Sequence, residues 1–187
     1  MQGYFAVGTI LLLITLVISR AILMRKLGIK AMRFGEMDKT DFLIPPFALL
    51  FFYLIFASAL NWPKFGAELF YNDMAAWIGV ALCILGPAFF FLSLTSFGKS
   101  FRVGIDEDQP GALITTGAFA VSRNPIYTAF GFILLGIFLI FPNWVVLLYL
   151  LAGLWLMNRQ VLREEESLQK IYGEQYLRYC QKVRRYL

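Results

Sequence analysis

The stretch Asn124-Pro-Ile-Tyr-Thr-Ala-Phe-Gly-Phe-Ile-Leu-Leu-Gly-Ile-Phe-Leu-Ile-Phe-Pro-Asn143-Trp144-Val-Val-Leu-Leu-Tyr-Leu-Leu-Ala-Gly-Leu-Trp-Leu-Met157 decides the fold. It holds no Asp, Glu, Lys or Arg, and its one break is Pro142-Asn143. About 20 apolar residues cross a bilayer core of about 30 Å as a helix. Backbone polar groups in lipid have to bond within their own segment. The two halves therefore read as spans, one from near Asn124 to near Phe141 and one from Trp144 to near Met157. The tight turn between them makes a helical hairpin. No stop signal follows Met157, so the second helix is expected to run on into the charged tail.

Upstream, three more apolar blocks read the same way: roughly Tyr4–Leu23, Phe42–Leu60 and Met74–Phe97. Arg20 can snorkel to the interface. Pro45 and Pro46 fall in a first turn, where missing N–H groups cost little, and Pro87 is expected to kink the third span. Trp62, Phe65 and Tyr71, in the loop Asn61–Asp73, suit an interfacial aromatic belt. The first block lacks a basic leader and a small-residue cleavage site, so it reads as a retained helix rather than a signal peptide. With 59% hydrophobic and 16% charged residues and a mean hydropathy of +0.68, a soluble domain is excluded. The alternating ten-residue strands of an outer-membrane barrel are missing. The fold class is an all-α integral membrane protein of about five transmembrane helices with a cytoplasmic amphipathic helical tail. Residues 1–187 form one membrane domain: 1–97 carry the first three spans, and 98–187 a loop, the hairpin and the tail.

Charge sets the expected orientation. Of 17 Lys and Arg, six lie between Arg20 and Lys39, three between Lys99 and Arg123, and seven between Arg159 and Arg185. Only Lys64 falls in the opposite loops. This bias places the N-terminus outside and the C-terminus in the cytoplasm. Membrane lipids with anionic headgroups, and not nucleic acid, are the partners it implies. Gly131 and Gly136 lack the four-residue spacing of a membrane dimer motif, which leaves the oligomeric state open.

Two cytoplasmic segments carry polar detail. In the first, Leu113-Ile-Thr-Thr-Gly117-Ala-Phe119-Ala-Val-Ser-Arg123-Asn124-Pro125-Ile-Tyr127, Gly117 permits a tight turn or a close backbone approach. Asn124 is placed to cap the fourth helix, with Pro125 in its first position. Free N–H groups there favour an anionic ligand group, with Arg123 beside it. A capped helix with an interfacial arginine is the simpler account. In the second segment, Asn158-Arg159-Gln-Val-Leu-Arg163-Glu164-Glu165-Glu166, Arg159 and Arg163 share a helix face and Glu166 can pair with Arg163. Three consecutive glutamates cover most of a turn, so at least one should face the bundle. Here the plain alternative is a solvated helix exit. Beyond it, Leu168, Ile171, Tyr172, Tyr176, Tyr179, Val183 and Tyr186 recur at helical spacing, with Gly173 as the expected break. With no histidine, and with Asp106-Glu107-Asp108 lacking a ligand spacing, no metal site is expected. Cys83 and Cys180 lie in unlike surroundings and are not expected to pair.

These two segments resemble the isoprenylcysteine carboxyl methyltransferase and phospholipid methyltransferase group of membrane enzymes. The pattern of that group is a leucine, Gly-x-Tyr and Arg-His-Pro-x-Tyr, then, after a hairpin, Glu-Glu, a leucine and Gly-x-x-Tyr. Here it is met by Leu113, Gly117 and Phe119, by Arg123-Asn124-Pro125-Ile126-Tyr127, and by Glu164-Glu165, Leu168 and Gly173 with Tyr176. Phe97-Gly98-Lys99-Ser100-Phe101 resembles a less specific upstream motif. Phe119 stands for a tyrosine and Asn124 for the histidine. The likeness covers roughly Phe97 to Arg185. It implies S-adenosylmethionine bound beneath the tail by Leu113, Gly117, Phe119, Asn124, Pro125, Tyr127, Glu164 and Glu165. It also implies a lipophilic small molecule or lipidated substrate entering from the bilayer. Arg123, Arg159 and Glu164 are the implied catalytic residues, with Arg159 orienting the acceptor and Arg163 the second choice. The rival readings are an NADPH-dependent sterol reductase, which would favour a further basic cluster, and a non-catalytic assembly factor or carrier.

Overall fold

A computed structural model describes residues 1–26, 44–63, 65–97 and 112–187. The expected turn at Asp106-Glu107-Asp108, the motif residues Gly98 to Phe101, Lys64 and most of the basic stretch after Lys26 lie outside them. Six α-helices follow in order: α1 (Gln2–Lys26), α2 (Ile44–Leu60), α3 (Asp73–Phe97), α4 (Pro125–Ile140), α5 (Trp144–Tyr172) and α6 (Glu174–Lys182), with one 3-10 turn at Gly117–Ala120. No strand occurs among the described residues. The helices α1, α3 and α5 are long and apolar enough to cross a membrane. The 16 residues of α4 extend roughly 24 Å at 1.5 Å each.

The centre of the bundle is the contact of α3 with α4, and it depends on residues without side chains. A Cβ on Gly79 would come within 2.6 Å of the Gly136 carbonyl oxygen, and one on Gly136 within 2.9 Å of the Cys83 sulfur. Gly86, two turns beyond Gly79, is met by Ile133. Small residues let two backbones approach where lipid offers no hydrophobic drive. Ala6, Ile10, Ile55, Val80, Cys83, Ile133, Ile137 and Val146 fill the core around this seam. The opposite faces carry exposed Leu11, Ile18, Ile84, Leu85, Leu148 and Leu151, the composition expected of a lipid-facing surface.

Pro87 lies buried inside α3. Without an N–H it leaves the Cys83 carbonyl lacking its helical donor. The Thr9 hydroxyl of α1 lies 3.0 Å from that carbonyl and 2.8 Å from the Phe5 carbonyl of its own helix, and its one hydrogen is shared between them. One span thus supplies a share of the hydrogen bond that the proline removes from another.

The helix ends are tied in two groups. At one end Gln2 donates to Asp73 at 2.6 Å, and the segment before α3 pairs with the α4–α5 turn through Leu69 N–H to Pro142 O and Trp144 N–H to Ala67 O. Asn143 completes this end. Its side-chain oxygen accepts from Val145 and Val146 N–H, at 2.8 and 3.0 Å, and its amide donates to the Phe65 carbonyl. The expected hairpin is present, with the 65–72 segment as an unforeseen strap across its turn. At the other end α5 runs past Met157 to Tyr172, as expected from its missing stop signal. Gly173, at φ +50°, separates it from α6.

Candidate functional site

The polar residues gather at the second end, built outward from the close of α3. Gly117 has φ +63°, and a Cβ there would collide with the Ser96 hydroxyl, so the position needs glycine for both conformation and space. Ser96 in turn accepts the Ala118 N–H at 3.0 Å. The following turn buries Phe119 edge-on to Phe97, with ring centroids 4.6 Å apart. The Phe119 carbonyl accepts the Tyr179 hydroxyl of α6 at 2.6 Å. Phe119 thus packs against α3 with its ring and ties α6 with its carbonyl. Leu113 lies half-buried in the segment leading to it.

The chain then turns through Ser122, Arg123 and Asn124 into α4. Pro125 occupies the first turn as expected, but Asn124 does not cap the helix with its side chain. Its side chain is turned instead so that the amide donates to Glu165 Oε1 at 3.0 Å and to the Arg185 carbonyl at 3.3 Å. The buried Ser122 hydroxyl accepts the Asn124 N–H at 3.1 Å. Arg123 Nη1 lies 3.5 Å from Glu165 Oε1 and donates to the Cys180 sulfur at 2.6 Å.

The two glutamates have different surroundings. Glu165 is buried and satisfied by Asn124, Arg123 and Arg185, whose Nε and Nη2 each lie 3.0 Å from Oε2. Glu164 accepts the Tyr127 hydroxyl at 2.5 Å and the Gln160 amide at 3.1 Å. Among the described residues it has no cationic partner. It stands about two turns beyond Met157, where the apolar run of α5 ends. Burial raises its carboxyl above the ordinary range, and the Tyr127 and Gln160 hydrogen bonds oppose that rise. Glu164 is thus a partly buried carboxylate with neutral donors and, among the described residues, no counter-charge.

Beside this cluster the buried Arg123 Nε has no hydrogen-bond partner among the described residues, and the Tyr176 hydroxyl has only the Cys180 thiol beside it. Tyr176 is 3% exposed. Burial raises its phenol, and the negative charge of Glu165 adds to the effect. Burial likewise raises Tyr179, to about 12. An orphaned donor such as Arg123 Nε is uncommon in folded proteins and marks a place where a ligand or water completes a network.

The sequence-derived candidates divide. Arg123, Asn124, Pro125, Tyr127, Glu164 and Glu165 are drawn together. Arg159 is exposed, with its guanidinium 5.8 Å from the Trp155 ring centroid, outside this hydrogen-bonded group. Glu166 pairs with Lys170 at 2.7 Å instead of with Arg163. Both cysteines are free, and no metal-binding group occurs among the described residues. Ser96, Ser122, Gln160, Cys180, Arg185 and Tyr186 belong to the site and were not foreseen. Gln160, one turn before Glu164, had a readable signal in its i, i+4 spacing. Arg185, 61 residues from Asn124, had none.

Residues 74–175 match the family model for phospholipid methyltransferase, more than half of the chain. Protein-S-isoprenylcysteine O-methyltransferase of Tribolium castaneum is 28% identical over 109 residues, which are 57% of this chain and 39% of that protein. A probable protein-S-isoprenylcysteine O-methyltransferase of Oryza sativa subsp. indica is 26% identical over 111 residues, 58% of each chain. Protein-S-isoprenylcysteine O-methyltransferase B of Arabidopsis thaliana is 26% identical over 108 residues, 56% of this chain and 55% of that one. The chain thus spans 39% to 58% of the length of these relatives. Its fold matches a solved structure of the eukaryotic intramembrane Ras methyltransferase, isoprenylcysteine carboxyl methyltransferase, with a TM-score of 0.57 and 23% identity. That match covers 80% of this chain and 55% of the other.

Proposed function

The chain belongs to the phospholipid methyltransferase family, and from that premise we propose that it is a membrane-embedded enzyme that transfers a methyl group from S-adenosylmethionine to a lipophilic acceptor at the cytoplasmic face. The observation that carries this reading is Glu164, a partly buried carboxylate held by Tyr127 and Gln160 and lacking a cation among the described residues. The proposed cofactor is cationic at its sulfur and its amino group, so the donor set fits it. The unpartnered Arg123 Nε suits one of its polar ends as well.

When bound, the cofactor supplies a methyl carbon on a sulfonium, already a strong electrophile. The chain then has to align the acceptor and keep water out. Glu164 holds the positive end, with Tyr127 and Gln160 fixing the carboxylate, and Leu113, Gly117 and Phe119 shape the turn behind it. Arg159 remains the candidate to hold an acceptor carboxylate or headgroup at the membrane surface, with Arg163 second. A carboxylate or thiolate acceptor attacks without losing a proton. An amine has to lose one first, and Glu164 is the base in reach. The names of the curated relatives favour a prenylcysteine carboxylate. The positive-inside bias supports five crossings with the N-terminus outside and the site in the cytoplasm, and residues 98–187 form its cofactor-binding half.

The test is equilibrium binding of S-adenosylmethionine to the full chain in detergent, followed by transfer of labelled methyl into a lipid extract and into prenylcysteine. Glu164→Gln is expected to weaken cofactor binding roughly 30-fold or more, the effect of removing one partner of a buried charge pair. Wild-type binding should weaken as pH falls through the Glu164 value. That loss begins above the usual glutamate range, because protonation removes the charge. Binding of NADPH but not S-adenosylmethionine would defeat the proposal in favour of a reductase.

A further inference from the structure

The last residues cross the site. Val183 leaves α6 in extended conformation. The Arg184 carbonyl accepts the Arg123 N–H at 2.9 Å. The Arg185 carbonyl accepts from Asn124 Nδ2 at 3.3 Å and from the Ser122 hydroxyl at 3.4 Å, while its guanidinium reaches Glu165. The Tyr186 hydroxyl then donates to Asn158 of α5 at 2.9 Å. The strap therefore runs from the start of α4 to a point on α5 six residues before Glu164. Along the way Tyr186 comes near enough to the Tyr127 phenol, the partner of Glu164, to interact with it electrostatically.

We propose that Asn124, Glu165 and Arg185 form a latch that pins residues 184–186 over the Glu164 seat, and that opening of this strap gates entry of the cationic ligand. The ligand's identity rests on the functional reading above; the latch does not.

The geometry divides the latch into a fixed and a movable side. The Glu165 and Arg123 side chains are only 10% and 13% exposed, whereas that of Arg185 is 40% exposed. Water and salt reach the arginine and not the carboxylate. The arginine is the side that solvent can take up when the pair opens, so the strap moves against a fixed carboxylate anchor. Asn124 suits the hinge side. Its one amide nitrogen carries two hydrogens, given to the Glu165 carboxylate and the Arg185 carbonyl. A histidine, the residue of the family pattern, has a single N–H on each ring nitrogen and cannot serve both from one atom.

Two measurements on the full chain in detergent test the latch. Amide hydrogen exchange at Arg123, whose N–H holds the strap, is followed without cofactor. The association rate of S-adenosylmethionine is followed by stopped flow. Arg185→Gln is expected to raise both rates about three- to tenfold, in line with loss of a partly exposed pair. Arg185→Lys should stay near wild type. Salt at about 0.5 M should speed wild type and leave Arg185→Gln unchanged. Unaltered exchange in Arg185→Gln overturns the latch, and faster exchange with an unaltered association rate overturns the gate. If wild type fails to bind S-adenosylmethionine, the functional reading falls, while the exchange data still decide the latch.

Discussion

Asn124 and Asn143 each stand one residue before a membrane helix, and they use the same side chain in opposite ways. Asn143 accepts two N–H groups from the first turn of α5 and pins the Phe65 carbonyl with its amide. Asn124 makes no side-chain bond to α4 and turns its amide to Glu165 and Arg185. Pro125 fills the first helical position without needing a partner for its nitrogen, while the Asn124 amide is engaged by the tail and by α5. The difference separates an end that holds the fold from an end that holds a site. A helix start that forgoes its own cap is a place where the side chain is needed elsewhere.

The sharpest way to break this contrast is to place aspartate at both positions. At 143 the carboxylate keeps both accepted bonds and gains from the helix dipole, about 0.3–1 kcal/mol, against one lost donor to Phe65 of about 1 kcal/mol. Asn143 is itself buried and the new oxygen would face the Phe65 carbonyl, so Asn143→Asp should lose about 1–2 kcal/mol, less than the change at 124. At 124 the same change sets a carboxylate where Nδ2 now lies 3.0 Å from Glu165. Two buried like charges there are expected to destabilise by about 3 kcal/mol at neutral pH. The pair's proton affinity is then higher in the folded state than in the unfolded state. The penalty should shrink as pH falls through the raised folded value, and be largest above it. Similar melting of both variants in detergent at pH 7.5 would erase the distinction between the ends.

Alanine gives the smaller form of the experiment. Asn143→Ala removes a cap and the tie to Phe65, and should lower stability by about 1–2 kcal/mol with the exchange rate at Arg123 unaltered. Asn124→Ala loses no cap. It should release the strap, read as faster exchange at Arg123 and weaker cofactor binding, with a smaller change in melting. The reverse assignment of the two effects would show that Asn124 is structural after all.

The contrast also marks what the sequence could disclose. Apolar blocks and Pro142-Asn143 reveal the hairpin because span length and turn chemistry are local properties. The missing stop after Met157 and the break at Gly173 are local too. Asn124 looked like a cap because asparagine before proline is one by local rules, and only a carboxylate 41 residues away draws it elsewhere. The pairing of the Arg-Asn-Pro corner with the glutamates followed from the family resemblance, not from spacing. Arg185 stayed hidden because a strap that returns across the site leaves no period in the sequence, and the helical spacing that takes in Val183 and Tyr186 misleads, because α6 ends at Lys182 and the chain beyond it is extended. The family resemblance places Arg159 at the site, and its position beside Trp155, outside the hydrogen-bonded group, depends on which way its helix face points, which the sequence does not disclose.

Thr9 tests whether the rule extends from the helix ends to the middle of the membrane. Like Asn143, it satisfies a backbone group that a helix cannot satisfy alone, here the Cys83 carbonyl freed by Pro87. Thr9→Val keeps the shape and loses the donor. Side-chain hydrogen bonds between membrane helices average about 0.6 kcal/mol and reach about 1.7, so a loss of about 1 kcal/mol is expected, the smallest effect proposed. Pro87→Ala restores a helical N–H to the same carbonyl, so Thr9→Val should be milder in the Pro87→Ala background than in wild type. A double-mutant cycle measured by unfolding in detergent reads this coupling directly. Additive effects would mean that the threonine and the proline act independently, and that the resemblance between the middle of the bundle and its Asn143 end is only geometric.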